Sequence, residues 1–217
     1  MDVTWLGHGC FRLRGRGAAV VTDPYPPAIG LKLQRMDADV ITVSHDHEDH
    51  NYTQVVRDGA YEIHGPGEYE IAGVSVVGLP TYHDAEKGAK LGRNTVYLIE
   101  IDDVRVCHLG DLGHKLGDAE AEAVASPDVL LIPVGGRTTM NGEQAAEVVR
   151  QLEPRYVIPM HYAIAGLKME LDSVDRFLKE MGTAASEAQP KLSVQKSSVA
   201  EYETKVVLLE PKTEPKA

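Results

Sequence analysis

Val40-Ile41-Thr42-Val43-Ser44-His45-Asp46-His47-Glu48-Asp49-His50 joins a β-prone run to three imidazoles and three carboxylates within six positions. The first four residues read as a strand, so the histidines stand on the loop at its C-terminal end. From such a loop His45 and His47 can converge on one divalent cation, while Asp49 and His50, one turn later, face a second. A solvated helix start would account for the acids, which favour that position, but not for histidine at three places.

Working outward, the same relation between strand end and ligand type recurs. His83 follows the run 74–79, Asp111 lies in Leu109-Gly110-Asp111-Leu112-Gly113 after Val106-Cys107, and His161 follows Val157-Ile158-Pro159-Met160. Open sheets carry their ligand sites at the carboxyl ends of strands, so the pattern predicts four loops converging on one edge.

The remaining punctuation sets the architecture. Residues 3–6, 10–13 and 18–22 read as short strands between glycine turns, ended by Asp23-Pro24. The runs 38–43, 69–79, 95–101 and 104–109 extend the series, with a hairpin turn at 100–104. Val129-Leu130-Leu131-Ile132 is the continuous apolar run of a buried strand. Asn141-Gly142-Glu143-Gln144 then opens a helix with Ala145, Val148, Val149 and Leu152 on one face, stopped by Pro154. Tyr156-Val157-Ile158 is a strand. Asp172 is expected to cap a further helix bearing Val174, Phe177, Leu178 and Met181, ended by Gly182. Residues 183–198 read as loop and 202–209 as a last strand. Strands first and strand–helix alternation later predict an α/β chain: two sheets packed face to face with helices outside.

The chain has 217 residues, which suits a single domain over 1–210 with a frayed tail at 211–217. Lys plus Arg total 22 against 33 Asp plus Glu, and the resulting net charge of −11 argues against a broad grip on nucleic acid or anionic lipid. No apolar run is long enough to span a membrane, and the N-terminus lacks the pattern of a targeting peptide, so the expected address is cytoplasmic. Cys10 and Cys107 are too few for a disulfide scaffold and read as reduced core residues.

His45-Asp46-His47-Glu48-Asp49-His50 matches the His-x-His-x-Asp-His signature, and the chain resembles the metallo-β-lactamase superfamily over roughly residues 3–165. Trp5-Leu6-Gly7-His8-Gly9-Cys10-Phe11, His83-Asp84 with Gly92-Arg93-Asn94, His108-Leu109-Gly110-Asp111-Leu112-Gly113-His114 and Pro133-Val134-Gly135-Gly136 look like its branch of small Zn-dependent hydrolases, which includes ascorbate-6-phosphate-lactonase-like proteins. The resemblance implies an αβ/βα four-layer sandwich with two divalent metal ions, zinc first, manganese or iron as alternatives. By position His45, His47 and His83 would hold one metal, and Asp49, His50 and His161 the other, with Asp111 bridging. It implies hydrolysis of an ester, lactone or phosphodiester by a metal-bridging hydroxide, with Asp49 and Asp111 as the catalytic carboxylates and no Ser or Cys nucleophile. The chain has no room for the large insert with which nucleic-acid-cleaving relatives hold RNA, and no flavin-binding extension is evident.

Around this centre His8 and His114 are candidates to orient ligands or shuttle protons, since metal ligands are usually supported from behind. Gly135 and Gly136 are expected to shape the rim. The expected partner is a small anionic substrate, its negative group received by Arg93 with Asn94, because paired cations make the pocket locally positive despite the charge of the whole. Loops 25–35 and 85–94 would build its pocket. An iron-dependent oxidoreductase on the same scaffold, or a non-catalytic metal-binding module, is the alternative, because imidazole and carboxylate suit iron as well as zinc.

Overall fold

The computed structural model describes residues 1–183, 187–196 and 203–215. In chain order the strands are β1 (Asp2–Gly7), β2 (Cys10–Arg14), β3 (Ala19–Thr22), β4 (Leu31–Lys32), β5 (Val40–Val43), β6 (Tyr61–His64), β7 (Gly67–Ile71), β8 (Val74–Tyr82), β9 (Arg93–Ile101) and β10 (Val104–His108). After α1 (Asp118–Val124) come β11 (Val129–Pro133), α2 (Gly142–Leu152), β12 (Tyr156–Met160), α3 (Asp175–Glu180), β13 (Leu192–Ser193), β14 (Lys205–Val206) and β15 (Glu214–Pro215).

One sheet has the order β13-β1-β2-β3-β5-β6 and the other β14-β12-β11-β10-β9-β8-β7. Alternation along each strand decides which face is which. Val3, Trp5, Phe11, Leu13, Val20 and Val40 face the second sheet, while Leu6, Cys10, Val21, Ile41 and Val43 face outward into a smaller core. Each such side chain, fully buried, is worth about 1.5–3 kcal/mol over its exposed state, so a one-residue slip would invert the whole set. α2 packs on β11, with α1 and α3 beside it. The outer face of the first sheet is covered differently, by the 3-10 turns Pro27–Ile29 and Thr53–Val55 and by Tyr25, Leu31 and Leu33. The arrangement is an α/β sandwich whose fourth layer is thin.

α2 begins as its sequence dictates: Asn141 Oδ1 accepts from the N–H groups of Glu143 and Gln144, and Gln144 Oε1 accepts from Asn141 N–H. Other boundaries moved for identifiable reasons. The run 69–79 is two strands, because Ala72 and Gly73 take left-handed backbone and fold β7 onto β8. Asp172 caps no helix. Its N–H donates to the Gly135 carbonyl and its carbonyl accepts from Ala163 N–H, so α3 starts three residues later. The last strand shortens to β14, and Tyr202 lies outside the described residues. The tail expected to fray is docked as far as it is described: Lys212 N–H donates to the Trp5 carbonyl and β15 pairs antiparallel with β4.

Cys10 and Cys107 are free and buried, and burial pushes the Cys107 thiol up to about 12. No helix among the described residues is long and apolar enough to cross a membrane.

Tyr97 ties the sheets together directly behind the histidine loop. From β9 it reaches across the core, donates from Oη to the Val43 carbonyl at 2.8 Å and accepts from Gly65 N–H at 2.9 Å. Tyr97→Phe strands the buried Val43 carbonyl and the half-buried Gly65 N–H, and denaturant unfolding should show a loss of about 1–3 kcal/mol; an unchanged midpoint would show that the tie adds nothing.

Candidate metal centre

Each element that carries a candidate ligand ends at the same edge of the sandwich. β1 leads to His8, β3 to Asp23, β5 to His45, β8 to His83, β10 to Asp111 and β12 to His161. The chain must turn abruptly there, and His8 (φ 52°), Asp23 (φ 39°) and His161 (φ 52°) all adopt left-handed backbone. That conformation is uncommon outside glycine, though His and Asp tolerate it, and it aims the side chains inward immediately after the strand. Gly110 (φ 56°) and Gly113 serve the Asp111 turn: a Cβ on Gly110 would come 2.6 Å from Ser44 Cβ, and one on Gly113 2.2 Å from the His83 carbonyl oxygen.

Asp111 is buried at the centre. Its Oδ2 lies 3.2 Å from His161 Nε2, 3.3 Å from His83 Nε2, 3.4 Å from His50 Nε2 and 4.0 Å from His45 Nε2. On one side His45, His47 and His83 form a group of mutually close donors, and on the other His8, Asp49, His50 and His161 form a second. The imidazoles are held with Nε2 free. His50 Nδ1–H donates to Asp23 Oδ2 at 3.0 Å, His83 Nδ1–H to the Thr138 carbonyl at 3.0 Å, and His45 Nδ1–H to Ser44 Oγ at 2.9 Å. With each Nδ1–H so engaged, Nε2 is the nitrogen that faces the centre.

Electrostatics follow from this crowding. Burial pushes His45 down to about 3, which keeps it neutral. Burial alone would also lower His50, but the carboxylates of Asp111 and Asp23 on its two sides reverse that and hold it well above its ordinary value. Asp111, whose burial would raise it, is drawn well below the carboxylate range by His161 and His50. A proton at this position does what a cation would do better: it sits between nitrogen and carboxylate lone pairs. His45 Nε2, His50 Nε2, His161 Nε2 and Asp111 Oδ1 are buried and have no hydrogen-bond partner. Four such atoms pointing together fit a metal, because native interiors leave few polar atoms unpaired.

The seven residues named as ligands from sequence are therefore brought together, and His8 joins them: its Nε2 lies 3.1 Å from Asp49 Oδ2 and its ring 4.2 Å from that of His161. Burial lowers His8 to about 4, so it is neutral, and facing a carboxylate it donates. Asn94 is buried behind the centre. Its Oδ1 accepts from Asp111 N–H at 3.0 Å and its amide donates to Thr81 Oγ1 and the Leu109 carbonyl, so its polar atoms hold the Asp111 turn. His114 stands apart, accepting from Tyr82 N–H and donating to the Lys115 carbonyl. Arg93 is exposed and lines a cavity of about 370 Å³ with His45 and His47. Of the two loops expected to build that cavity, 85–94 contributes Leu91, Gly92 and Arg93, whereas 25–35 folds onto the outer face of the first sheet instead. A Cβ on Gly135 would come 2.1 Å from the His161 carbonyl oxygen, so this glycine serves the close approach of two loops.

Sequence reasoning passed over Asp23, Ser44 and His108. Asp23 Oδ1 and Oδ2 accept from Ser44 N–H and Ser44 O–H as well as from His50, while His108 Nε2–H donates to the Gly9 carbonyl and Nδ1 accepts from Gly110 N–H. Asp23 carried a usable signal, since it too ends a strand.

Residues 2–161 match the family model described as the beta-lactamase superfamily domain. Among curated proteins, a UPF0173 metal-dependent hydrolase of Thermococcus onnurineus is 33% identical over 191 residues, covering 75% of this chain and 84% of that protein. Among solved structures, one described as a Zn-dependent hydrolase of the metallo-beta-lactamase superfamily from Thermotoga maritima superposes with a TM-score of 0.77 at 36% identity, over 96% of this chain and 99% of that one. CmlA, a diiron beta-hydroxylase from Streptomyces venezuelae, superposes with a TM-score of 0.63 at 17% identity over 90% of this chain and 54% of that one, a likeness of fold alone.

The hydrogen bonds behind the ligands should be felt in metal retention. Asp23→Asn removes the charge that orients His50, and His8→Asn keeps the left-handed turn while shortening the reach to Asp49. Each should weaken retention of zinc against a chromophoric chelator by about 10- to 100-fold. Wild-type retention in both would deny these residues any role in orienting the donors.

Proposed function

The chain belongs to the β-lactamase superfamily, and on that premise we propose that it is a metal-dependent hydrolase whose centre holds two divalent cations. The observation that carries the reading is the convergence of two donor sets on one buried carboxylate. His45, His47 and His83 would hold one ion, Asp49, His50 and His161 the other, with Asp111 shared between them. Two dications placed close together repel strongly, and a carboxylate between them offsets part of that cost. Imidazole and carboxylate donors suit zinc, manganese and iron alike, and zinc is the ion we propose. When bound, the pair would supply a Lewis acid for a carbonyl or phosphoryl oxygen and a water acidic enough to attack near neutral pH.

The chain's own residues supply position. Asn94 and the Gly110 turn hold Asp111, Asp23 holds His50, and the Thr138 carbonyl holds His83, so the donors need little rearrangement on loading. The cavity beside His45 and His47 has apolar walls from Val43, Pro66 and Leu91, with Arg93 at its rim. Arg93 is not engaged by the acids nearest in sequence. Asp84 accepts from the N–H groups of Glu86, Gly88, Lys90 and Leu91, and Glu86 pairs with Lys90. Its guanidinium is available to fork onto a carboxylate or phosphate. The substrate class we propose is a small anionic ester, lactone or phosphodiester, with the anion at Arg93 and the scissile bond over the metals.

Protein reconstituted with zinc and freed of excess should approach two equivalents per chain by elemental analysis; a ceiling of one would leave Asp49, His50 and His161 without a second ion to hold. On a panel of esters, lactones and phosphodiesters, Asp111→Ala should abolish hydrolysis while the far-ultraviolet circular dichroism stays native, and activity in a folded variant would end the bridging assignment. For any substrate so found, Arg93→Gln should raise KM for the anionic form about tenfold, corresponding to roughly 1.4 kcal/mol, and spare a neutral analogue. Equal losses on both would remove Arg93 from anion recognition.

A further inference from the structure

On the far face of the first sheet, a groove of about 440 Å³ runs between β1–β2 and the ribbon of β4 with the C-terminal segment. We propose that this groove is a second ligand site, independent of the metal centre, and that it takes a phosphate-bearing small molecule of nucleotide size. Four cationic side chains line it: Arg12, Lys32, Arg35 and Lys212. Such a concentration runs against the −11 charge of the chain. The acid on its lining, Asp37, is already held by Arg57, whose Nη1 donates to both carboxylate oxygens at 2.9 Å. Among the described side chains, no ion pair engages any of the four.

The walls are built. Thr4 and Arg12 are cross-strand partners, and their side chains leave the sheet opposite to Trp5 and Phe11. Arg12 is half-buried, its Nη2 donates to the Asp37 carbonyl at 3.1 Å, and its Nε is buried without a partner. On the other side, Thr213 Oγ1 donates to the Lys32 carbonyl and accepts from Tyr25 Oη, and Lys212 N–H is bonded to Trp5. Leu6, Leu33 and Met36 provide an apolar floor.

Chemistry selects the ligand from these parts. An arginine fork with lysine point charges matches phosphate, and the floor accepts a flat apolar body such as a base. The volume falls in the range of small-molecule sites. A long polyanion is disfavoured by the net charge of −11 on the whole chain.

Calorimetric titration of the full chain with adenosine monophosphate, inorganic phosphate and adenosine tests this directly. The nucleotide and phosphate should bind, adenosine should bind at least about tenfold more weakly, and added salt should weaken the nucleotide. Arg35→Gln with Lys212→Gln, both exposed and so without consequence for folding, should weaken the nucleotide about tenfold, and Arg12→Gln should do the same. The tenfold effect of the groove variants should persist in an Arg93→Gln background, so that any anion held beside the metals is counted separately. Absence of binding by nucleotide and phosphate overturns the site. Loss of binding in Arg93→Gln with retention in the groove variants would assign the anion to the metal centre and overturn it too. Tighter binding of a short single-stranded DNA than of the nucleotide would overturn the small-molecule class.

Discussion

A carboxylate shut away from water must be answered by positive charge, and the arrangement of one face of this protein answers Asp111. Its Oδ2 has the Nε2 atoms of four histidines within 4.0 Å, while its backbone N–H is tied to Asn94. Neutral imidazoles cannot supply that charge with their lone pairs facing inward, so the site is completed by protons or by metal. The outer hydrogen bonds fix which nitrogen meets that charge. Asp23, Ser44 and the Thr138 carbonyl each claim an Nδ1 proton and turn the corresponding Nε2 toward the centre.

The fold makes this crowding possible by gathering the ends of strands from both sheets at one edge. Strand ends are rigid on their sheet side, so a ligand immediately beyond one inherits a fixed origin. The cost appears as backbone strain at His8, Asp23 and His161, which all turn through left-handed conformations. It appears again as glycines at places where no side chain fits, such as Gly110, Gly113 and Gly135. The core behind offsets this strain through Tyr97, which bridges the sheets at the base of the histidine loop.

Legibility along the chain followed the range of the interaction involved. α2 was readable because its capping box, apolar face and terminating Pro154 are all local. β6 and α1 escaped notice: β6 has one buried side chain among four, and the N-cap of α1 is Gly117, which has no side chain to announce it. Asp172 looked like a cap because capping is read from neighbours, yet its backbone is committed to Gly135 and Ala163, which are distant in sequence. The C-terminal segment looked frayed by composition alone, whereas pairing with β4 and the bond from Lys212 to Trp5 hold it against the first sheet.

The sequence by itself determined the donor inventory of the centre. A histidine or aspartate directly after a β-prone run declares both its chemistry and its place, because strand ends and loop starts are encoded within a few residues. Only the tertiary structure decided which atoms meet. That His8 donates to Asp49, that Asn94 is engaged by the Asp111 turn, that Asp23 orients His50 and that Arg93 lines the adjoining cavity all depend on contacts between segments distant along the chain. Such contacts are set by the packing of two sheets to within a side chain's length, and local pattern carries no measure of that distance.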